Sequence, residues 1–119
     1  MPEGRSAVIV EDEILISDYL ADLCELFDVK VVGTADNADD AVRTIRETRP
    51  DFVLMDVRLI GDTDGVEIAK TVYKDHSDIK IVYITGSNEP QTIARIHGDH
   101  PYKILIKPIL PDDLKRALN

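Results

Sequence analysis

The chain has 119 residues, of which 44% are hydrophobic and 31% charged, and its formal net charge is -9. This composition is typical of one ordinary globular domain, which buries roughly two thirds of its unfolded surface. The excess of acids argues against direct binding of nucleic acids or anionic membranes, because both need a cationic surface. Cys24 is the single cysteine and excludes an internal disulfide. With no secretory signal and no apolar run of membrane-spanning length, the sequence predicts a cytoplasmic protein.

Short apolar runs alternate with segments whose apolar residues recur every three or four positions. The runs predict buried strands and the recurring spacing predicts amphipathic helices. After a polar start over Met1–Arg5 that is expected to fray, the predicted strands are Ser6–Val10, Val29–Val32 closed by Gly33, Phe52–Met55, Ile79–Ile84 and Lys103–Ile106. The predicted helices run to about Phe27 after the first strand, over Asn37–Thr48, about Val66–Asp75 and Glu89–His97, and from Pro111 onward.

Five strand–helix repeats with short connections predict a parallel sheet with helices on both faces. Short connections make successive strands parallel through right-handed crossovers. The expected fold is a flavodoxin-like, doubly wound α/β domain with five strands in the order 2-1-3-4-5. In that order the first and third strands lie side by side at the switch point, where open parallel sheets bind their ligands.

Polar side chains follow four of the predicted strands. Glu11 and Asp12 follow the first strand, Asp56 the third, Thr85 the fourth and Lys107 the fifth. An acid at a strand end often only caps a turn, but these five side chains converge on one edge of the sheet. Three neighbouring carboxylates repel one another unless a cation joins them, and oxygen ligands of this kind suit Mg²⁺.

A lysine and a hydroxyl beside a metal site predict that an anion reacts there. The Lys107 ammonium can pair with an incoming anion, and the Thr85 hydroxyl can donate a hydrogen bond to it. Carboxylate, divalent cation, hydroxyl and ammonium together are the groups needed to move a phosphoryl group onto Asp56. The pattern therefore predicts phosphoryl transfer with Asp56 as the acceptor.

The segments around these residues resemble the receiver domain of two-component response regulators. They occur in the family's order and spacing, and the resemblance implies a single receiver domain over residues 1–119. The matching segments are Val10-Glu11-Asp12-Glu13, Leu54-Met55-Asp56, Asp64-Gly65, Ile84-Thr85-Gly86 and Ile106-Lys107-Pro108.

The resemblance implies a role for each site residue. Asp56 is then the phosphoacceptor, and Thr85 and Lys107 hold the phosphoryl oxygens. The peptide bond between Lys107 and Pro108 is expected to be cis, which proline makes accessible. The implied ligands of Mg²⁺ are Asp56, Asp12 directly, Glu11 through a water molecule, and the backbone carbonyl of Arg58.

The chain departs from the family's pattern in two places. Most receivers carry an aromatic switch residue three positions before the strand-five lysine, where this chain has Ile104. Tyr102 lies two residues earlier, on the same face of a regular strand. The sequence therefore leaves open whether Thr85 is coupled to an aromatic ring in the usual way. Phosphorylation is expected to change the degree of order of the segment from Thr85 to His97. The loop after the third strand is one residue longer than in common members, a feature that resembles an alphaproteobacterial single-domain subgroup with a Phe-Ala-Thr-Gly-type motif.

The resemblance implies a phosphoacceptor switch rather than a dedicated enzyme, although the domain would assist its own phosphorylation and hydrolysis. The expected partners are a sensor histidine kinase or a histidine phosphotransfer protein as donor, and a downstream protein target. The target is expected to bind the face formed by the fourth predicted helix, the fifth strand and the last helix, on a monomer or a phosphorylation-dependent dimer. The sequence is compatible both with a stand-alone receiver and with a piece of a longer regulator.

Two other classes of protein explain the pattern less well. An aspartate-nucleophile phosphatase of the haloacid dehalogenase type places its nucleophile after the first strand, with a second aspartate two residues later. Here Asp56 follows the third strand, and Arg58 stands two residues later. A flavodoxin-like cofactor binder needs a hydroxyl- and glycine-rich phosphate loop after the first strand, where this chain has Glu11-Asp12-Glu13.

Overall fold

The computed structural model of the chain describes residues 4–57, 65–86 and 103–118. Within them, parallel strands form one five-stranded sheet in the order β2-β1-β3-β4-β5, which confirms the predicted fold and strand order. The strands are β1 (Arg5–Val10), β2 (Val29–Ala35), β3 (Phe52–Asp56), β4 (Lys80–Thr85) and β5 (Lys103–Ile106). The helices are α1 (Ile14–Leu26), α2 (Ala38–Thr48), α3 (Gly65–Asp75) and α4 (Pro111–Ala117). The predicted helix over Glu89–His97, the acceptor loop with Arg58 and Asp64, and Tyr102 lie outside the described residues.

Among the described residues, two helices pack on each face of the sheet. Successive strand residues point to opposite faces, so alternate positions of β1, β3 and β4 supply two separate apolar layers. One layer packs against α2 and α3, and the other packs against α1 and α4. Burial on both faces is the physical reason that these strands are continuously apolar. Among the described residues, no helix combines the length and hydrophobicity that crossing a bilayer requires.

Cys24 lies in the layer beneath α1, where its side chain is fully buried. Burial raises the pKa of its thiol to about 11. The thiolate that reacts with electrophiles and metals is therefore scarce at neutral pH. Cys24 is therefore a small residue of the apolar core.

The central strand β3 ends in an acidic residue at the edge of the core. All residues of Phe52–Asp56 are buried, and β3 pairs with β1 on one side and β4 on the other. The strand's start is held by Asp51, whose carboxylate accepts a hydrogen bond from the Ser6 backbone N–H at 2.9 Å. Asp56 is therefore the buried last residue of the most enclosed strand.

The first strand starts one residue earlier than the sequence predicts. Arg5, predicted as part of a frayed start, is the first residue of β1 and pairs with Val29. Its guanidinium lies 5.6 Å from the centre of the Phe52 ring, and the Lys80 ammonium lies 5.5 Å from the same ring. These cation–π contacts favour an ordered Arg5.

The second strand does not end at Gly33, so that prediction is wrong. The pairing of β1 with β2 shifts register between Ala7 and Val8, and β2 continues through Gly33 to Ala35. A Cβ built on Gly33 would lie 2.5 Å from Cγ2 of Thr44 on α2. Glycine is therefore needed here because the helix approaches the strand closely, and not because the strand stops.

Replacing Gly33 with alanine is expected to destabilise the fold by about 2 kcal/mol, since the added methyl overlaps a packed side chain. Thr44→Ser removes the Cγ2 atom that would clash, so the double variant Gly33→Ala/Thr44→Ser should recover most of the lost stability. Urea unfolding of the wild type, both single variants and the double variant measures the coupling. Strictly additive effects of the two substitutions would contradict this account of Gly33.

Candidate functional site

Three carboxylates meet at the carboxyl ends of β1 and β3. The two strands are neighbours with Val10 paired to Met55, so the residues that follow each strand lie side by side. One carboxylate oxygen of each of Glu11, Asp12 and Asp56 lies within 4.8 Å of the others. Glu11 and Asp56 are buried and Asp12 is half-buried. The structure thus brings together the three acids that the predicted strand order placed at one edge.

Backbone hydrogen bonds beyond the strand ends hold the site residues in register. The N–H of Glu11 donates to the carbonyl of Ala35 at the end of β2, with an N–O distance of 3.0 Å. The N–H of Lys107 donates to the carbonyl of Thr85 at 2.8 Å. Because each strand end is held by its neighbour, the polar side chains keep their relative positions without long loops.

The two other predicted site residues, Thr85 and Lys107, lie at the carboxyl ends of β4 and β5. Thr85 is the last residue of β4 and is 1% exposed. The Lys107 Nζ lies 3.4 Å from Oε1 of Glu11 and 3.9 Å from Oδ2 of Asp56. The peptide bond between Lys107 and Pro108 is cis. One ammonium therefore faces two buried carboxylates at the same strand edge.

Among the three acids, Glu11 has a charged form that its surroundings disfavour. Its pKa is raised from 4.5 to about 7, chiefly because burial penalises the charged form, and further by the neighbouring Asp56 carboxylate. The hydrogen bond that its Oε2 accepts from the Glu13 N–H, at 3.2 Å, acts in the opposite direction. Its Oε1 is buried and accepts no hydrogen bond within the part of the chain that the structure describes.

These features fit a divalent cation. Three clustered carboxylates offer oxygen ligands to a hard ion, and a buried oxygen without a hydrogen-bond donor is satisfied when a cation binds it. The raised pKa of Glu11 shows that burial and the neighbouring Asp56 carboxylate disfavour its charged form, which a bound cation would favour. The residues present therefore suit Mg²⁺, with Glu11, Asp12 and Asp56 as the groups that would hold it.

In metal-free buffer, Glu11→Gln is expected to be more stable than the wild type at pH 8 by about 3 kcal/mol, because the neutral amide avoids burying a charge and one pKa unit corresponds to about 1.4 kcal/mol. A raised carboxyl pKa means that the folded state binds more protons than the unfolded state between pH 4.5 and about 7. Wild-type stability should thus fall as pH rises through this window, and the advantage of the glutamine should vanish below pH 4.5.

Thermal unfolding of both proteins in chelator, at several pH values, measures this difference. A difference in stability that is the same at pH 5 and pH 8 would show that Glu11 does not change its charge in the folded protein.

The structure adds one contact at the site that sequence reasoning missed. The hydroxyl of Tyr19 on α1 donates to the backbone carbonyl of Ile109 at 2.8 Å. This bond ties α1 to the turn that follows Lys107 and Pro108. No local pattern could have revealed it, because the two residues are 90 positions apart in the sequence.

The residue that replaces the usual switch aromatic packs into the core. Ile104 is half-buried on β5, pairs with Tyr83 of β4, and contacts the apolar layer beneath α2 and α3. Tyr83 is fully buried. Tyr102, the alternative aromatic, lies outside the described residues.

Comparison with known proteins shows the family to which this chain belongs. The family model of the response regulator receiver domain matches residues 7–119. The chain therefore belongs to the response regulator receiver domain family of two-component signalling.

Similar proteins agree with this assignment. The response regulator protein VraR of Staphylococcus saprophyticus is 33% identical over 103 residues, which cover 87% of this chain and 47% of VraR. The transcriptional regulatory protein KdpE of Staphylococcus aureus is 33% identical over 111 residues, covering 93% and 47%. A solved signal receiver domain of a modulated diguanylate cyclase from Desulfovibrio desulfuricans G20 is 34% identical with a TM-score of 0.88, covering 98% of this chain and 91% of that one. The chain spans about half the length of the curated relatives it matches.

Proposed function

We propose that this chain accepts a phosphoryl group onto Asp56 from the phosphohistidine of a histidine kinase or a histidine phosphotransfer protein, with Mg²⁺ bound. The observation that carries the proposal is the convergence of three carboxylates and the Lys107 ammonium at the carboxyl edge of the sheet. Carboxylate nucleophile, cation-binding acids and an ammonium for the transferred group are the parts that phosphoryl transfer requires.

The chain's own residues have distinct parts in the proposed reaction. An oxygen of the Asp56 carboxylate attacks phosphorus, and the phosphorus–nitrogen bond to the donor histidine breaks as the new oxygen–phosphorus bond forms. Bound Mg²⁺ would supply positive charge against the negative charge shared by the phosphoryl oxygens and the acids. Lys107, which lies 3.9 Å from Oδ2 of Asp56, pairs with a phosphoryl oxygen, and the Thr85 hydroxyl donates to another.

The product of the proposed reaction is the phosphorylated domain itself, which passes on a signal instead of releasing a metabolite. Phosphoryl addition brings roughly -1.5 to -2 charges and three strong acceptors to the site. We infer that the modified domain binds a downstream protein target through the surface that includes β5 and α4, as a monomer or as a phosphorylation-dependent dimer, in the cytoplasm. The acidic net charge of -9 disfavours direct nucleic-acid binding by this domain itself.

Acetyl phosphate, a small phosphoryl donor, tests the proposal without the partner kinase. With Mg²⁺, intact mass spectrometry should show one added phosphoryl group, and chelation of the metal should prevent the addition. Hydroxylamine should remove the group, because it cleaves acyl phosphates. A hydroxylamine-stable phosphate mapped to Thr85 or Ser87 would contradict the mechanism.

A turnover assay separates the receiver from the phosphatase alternative. A receiver should take up about one equivalent from acetyl phosphate and should not hydrolyse phosphate monoesters in many cycles. Sustained turnover of p-nitrophenyl phosphate that depends on Asp56 would favour the phosphatase.

A further inference from the structure

The Tyr19 hydroxyl links two segments of the chain that each carry part of the candidate site. Tyr19 lies on α1, the helix that follows the acids Glu11 and Asp12. Its hydroxyl donates to the backbone carbonyl of Ile109 at 2.8 Å, two residues after Lys107. The strands that precede the two segments, β1 and β5, are separated in the sheet by β3 and β4. This hydrogen bond therefore joins segments that strand pairing does not hold together.

The turn that carries Lys107 is held at both of its ends. The Lys107 backbone N–H donates to the carbonyl of Thr85 at 2.8 Å, which fixes the end of β5. The Ile109 side chain is buried in the apolar layer beneath α1 and α4, and its carbonyl is held by Tyr19. Only Pro108 separates Lys107 from Ile109, so a shift of the Ile109 carbonyl also moves the backbone from which the lysine extends.

The place of Lys107 matters because its ammonium lies 3.9 Å from Oδ2 of Asp56, the proposed acceptor. A lysine side chain is a flexible stem of four carbons, so its charge is held only as well as the backbone beneath it. Misplacing a supporting group by about 1 Å can slow a reaction on the order of a hundredfold. A hydrogen bond that holds this turn therefore bears on the rate of phosphoryl transfer.

We infer that Tyr19 is a positioning residue for the phosphorylation of Asp56, because its hydroxyl holds the Ile109 carbonyl and with it the turn that carries Lys107. This inference rests on the proposed function, because it concerns the same reaction. Tyr19 acts on the transferred group only through Lys107. Its loss should thus slow phosphoryl uptake and leave Mg²⁺ binding unchanged.

Tyr19→Phe removes the hydroxyl and keeps the ring, and it should slow phosphoryl uptake from acetyl phosphate about fivefold, as expected for the loss of one hydrogen bond. Acid quenching followed by intact mass spectrometry measures the rate at saturating Mg²⁺. The Mg²⁺ concentration that gives the half-maximal rate should match the wild-type value. Tyr73→Phe is the matched control, since Tyr73 is a half-buried tyrosine of α3 on the opposite face of the sheet, and its rate should stay at the wild-type value.

Double variants separate positioning from a merely structural role. If Tyr19 acts through Lys107, Tyr19→Phe should cause no further slowing in a Lys107→Met background, so the two effects should not add. In a Thr85→Ala background, which keeps the lysine, the same slowing should persist. Equal slowing by Tyr19→Phe with and without Lys107 would show that the hydroxyl does not act through the lysine, and the inference would be wrong.

Circular dichroism at the assay temperature shows whether each variant is folded. If Tyr19→Phe is not folded, Tyr19→Leu, which also lacks the hydroxyl, takes its place under the same criterion. A folded Tyr19 variant that takes up the phosphoryl group as fast as the Tyr73→Phe control would overturn the inference and leave the proposed function intact. A wild-type protein that takes up no phosphoryl group would contradict the proposed function and, with it, the inference.

Discussion

Asp56→Asn is expected to abolish phosphoryl uptake from acetyl phosphate. The amide keeps the shape of the side chain at a buried position, but its nitrogen and neutral oxygen do not form a stable acyl phosphate. Intact mass spectrometry after incubation with acetyl phosphate and Mg²⁺ should show no added group. Wild-type protein treated in parallel should take up one.

The control for this experiment is Asp22→Asn, which makes the same chemical change at an exposed position of α1. It should take up the phosphoryl group as the wild type does. Circular dichroism of both variants shows whether each is folded. A phosphoryl group that is retained in folded Asp56→Asn would mean that another residue is the acceptor.

Asp12→Ala is expected to remove most Mg²⁺ binding. Asp12 is half-buried beside Asp56 and offers its carboxylate to the cluster, so its loss deletes both a ligand and a negative charge. Glu11→Ala should weaken binding less, because the family resemblance places Glu11 behind a water molecule. Isothermal titration with Mg²⁺ of the wild type and both variants compares the affinities.

Asp22→Ala serves as the charge-matched control, since Asp22 lies on the exposed face of α1 away from the cluster. Its Mg²⁺ affinity should stay close to the wild-type value. An Asp12→Ala protein that binds Mg²⁺ as tightly as this control would show that the three acids are not the metal site. A larger loss in Glu11→Ala than in Asp12→Ala would reverse the assigned order of the two ligands.

The fold was predictable from the sequence, and so was the position of the candidate site residues at the strand ends. Alternating apolar runs and amphipathic segments predict five parallel strands with helices on both faces, and the expected flavodoxin-like order 2-1-3-4-5 is the order observed. Because parallel strands end at one edge, residues that directly follow them must converge there. That rule predicts all five residues at one edge, where the structure brings oxygens of Glu11, Asp12 and Asp56 within 4.8 Å of one another and the Lys107 ammonium to 3.9 Å from Asp56.

The structural role of a residue was harder to predict where it depends on a contact with a residue distant in the sequence. Gly33 was expected to close β2, because glycine commonly ends strands. The structure shows that β2 continues past it, since the close approach of Thr44 on α2 is what excludes a side chain there. The start of β1 at Arg5 likewise involves other strands, through its pairing with Val29 and its contact with the Phe52 ring.

The distances and the pKa shift at the site also could be obtained only from the tertiary structure. The sequence names Glu11 and Lys107, but it does not give the 3.4 Å between Nζ and Oε1 or the burial that raises the pKa of Glu11 to about 7. The distance depends on how the Lys107 side chain extends from the end of β5 toward β1, two strands away in the sheet, and the pKa depends on which oxygens the surrounding core shields from water. Distances and desolvation are properties of packed neighbours, whereas the order of strands and the residues at their ends are properties of the chain.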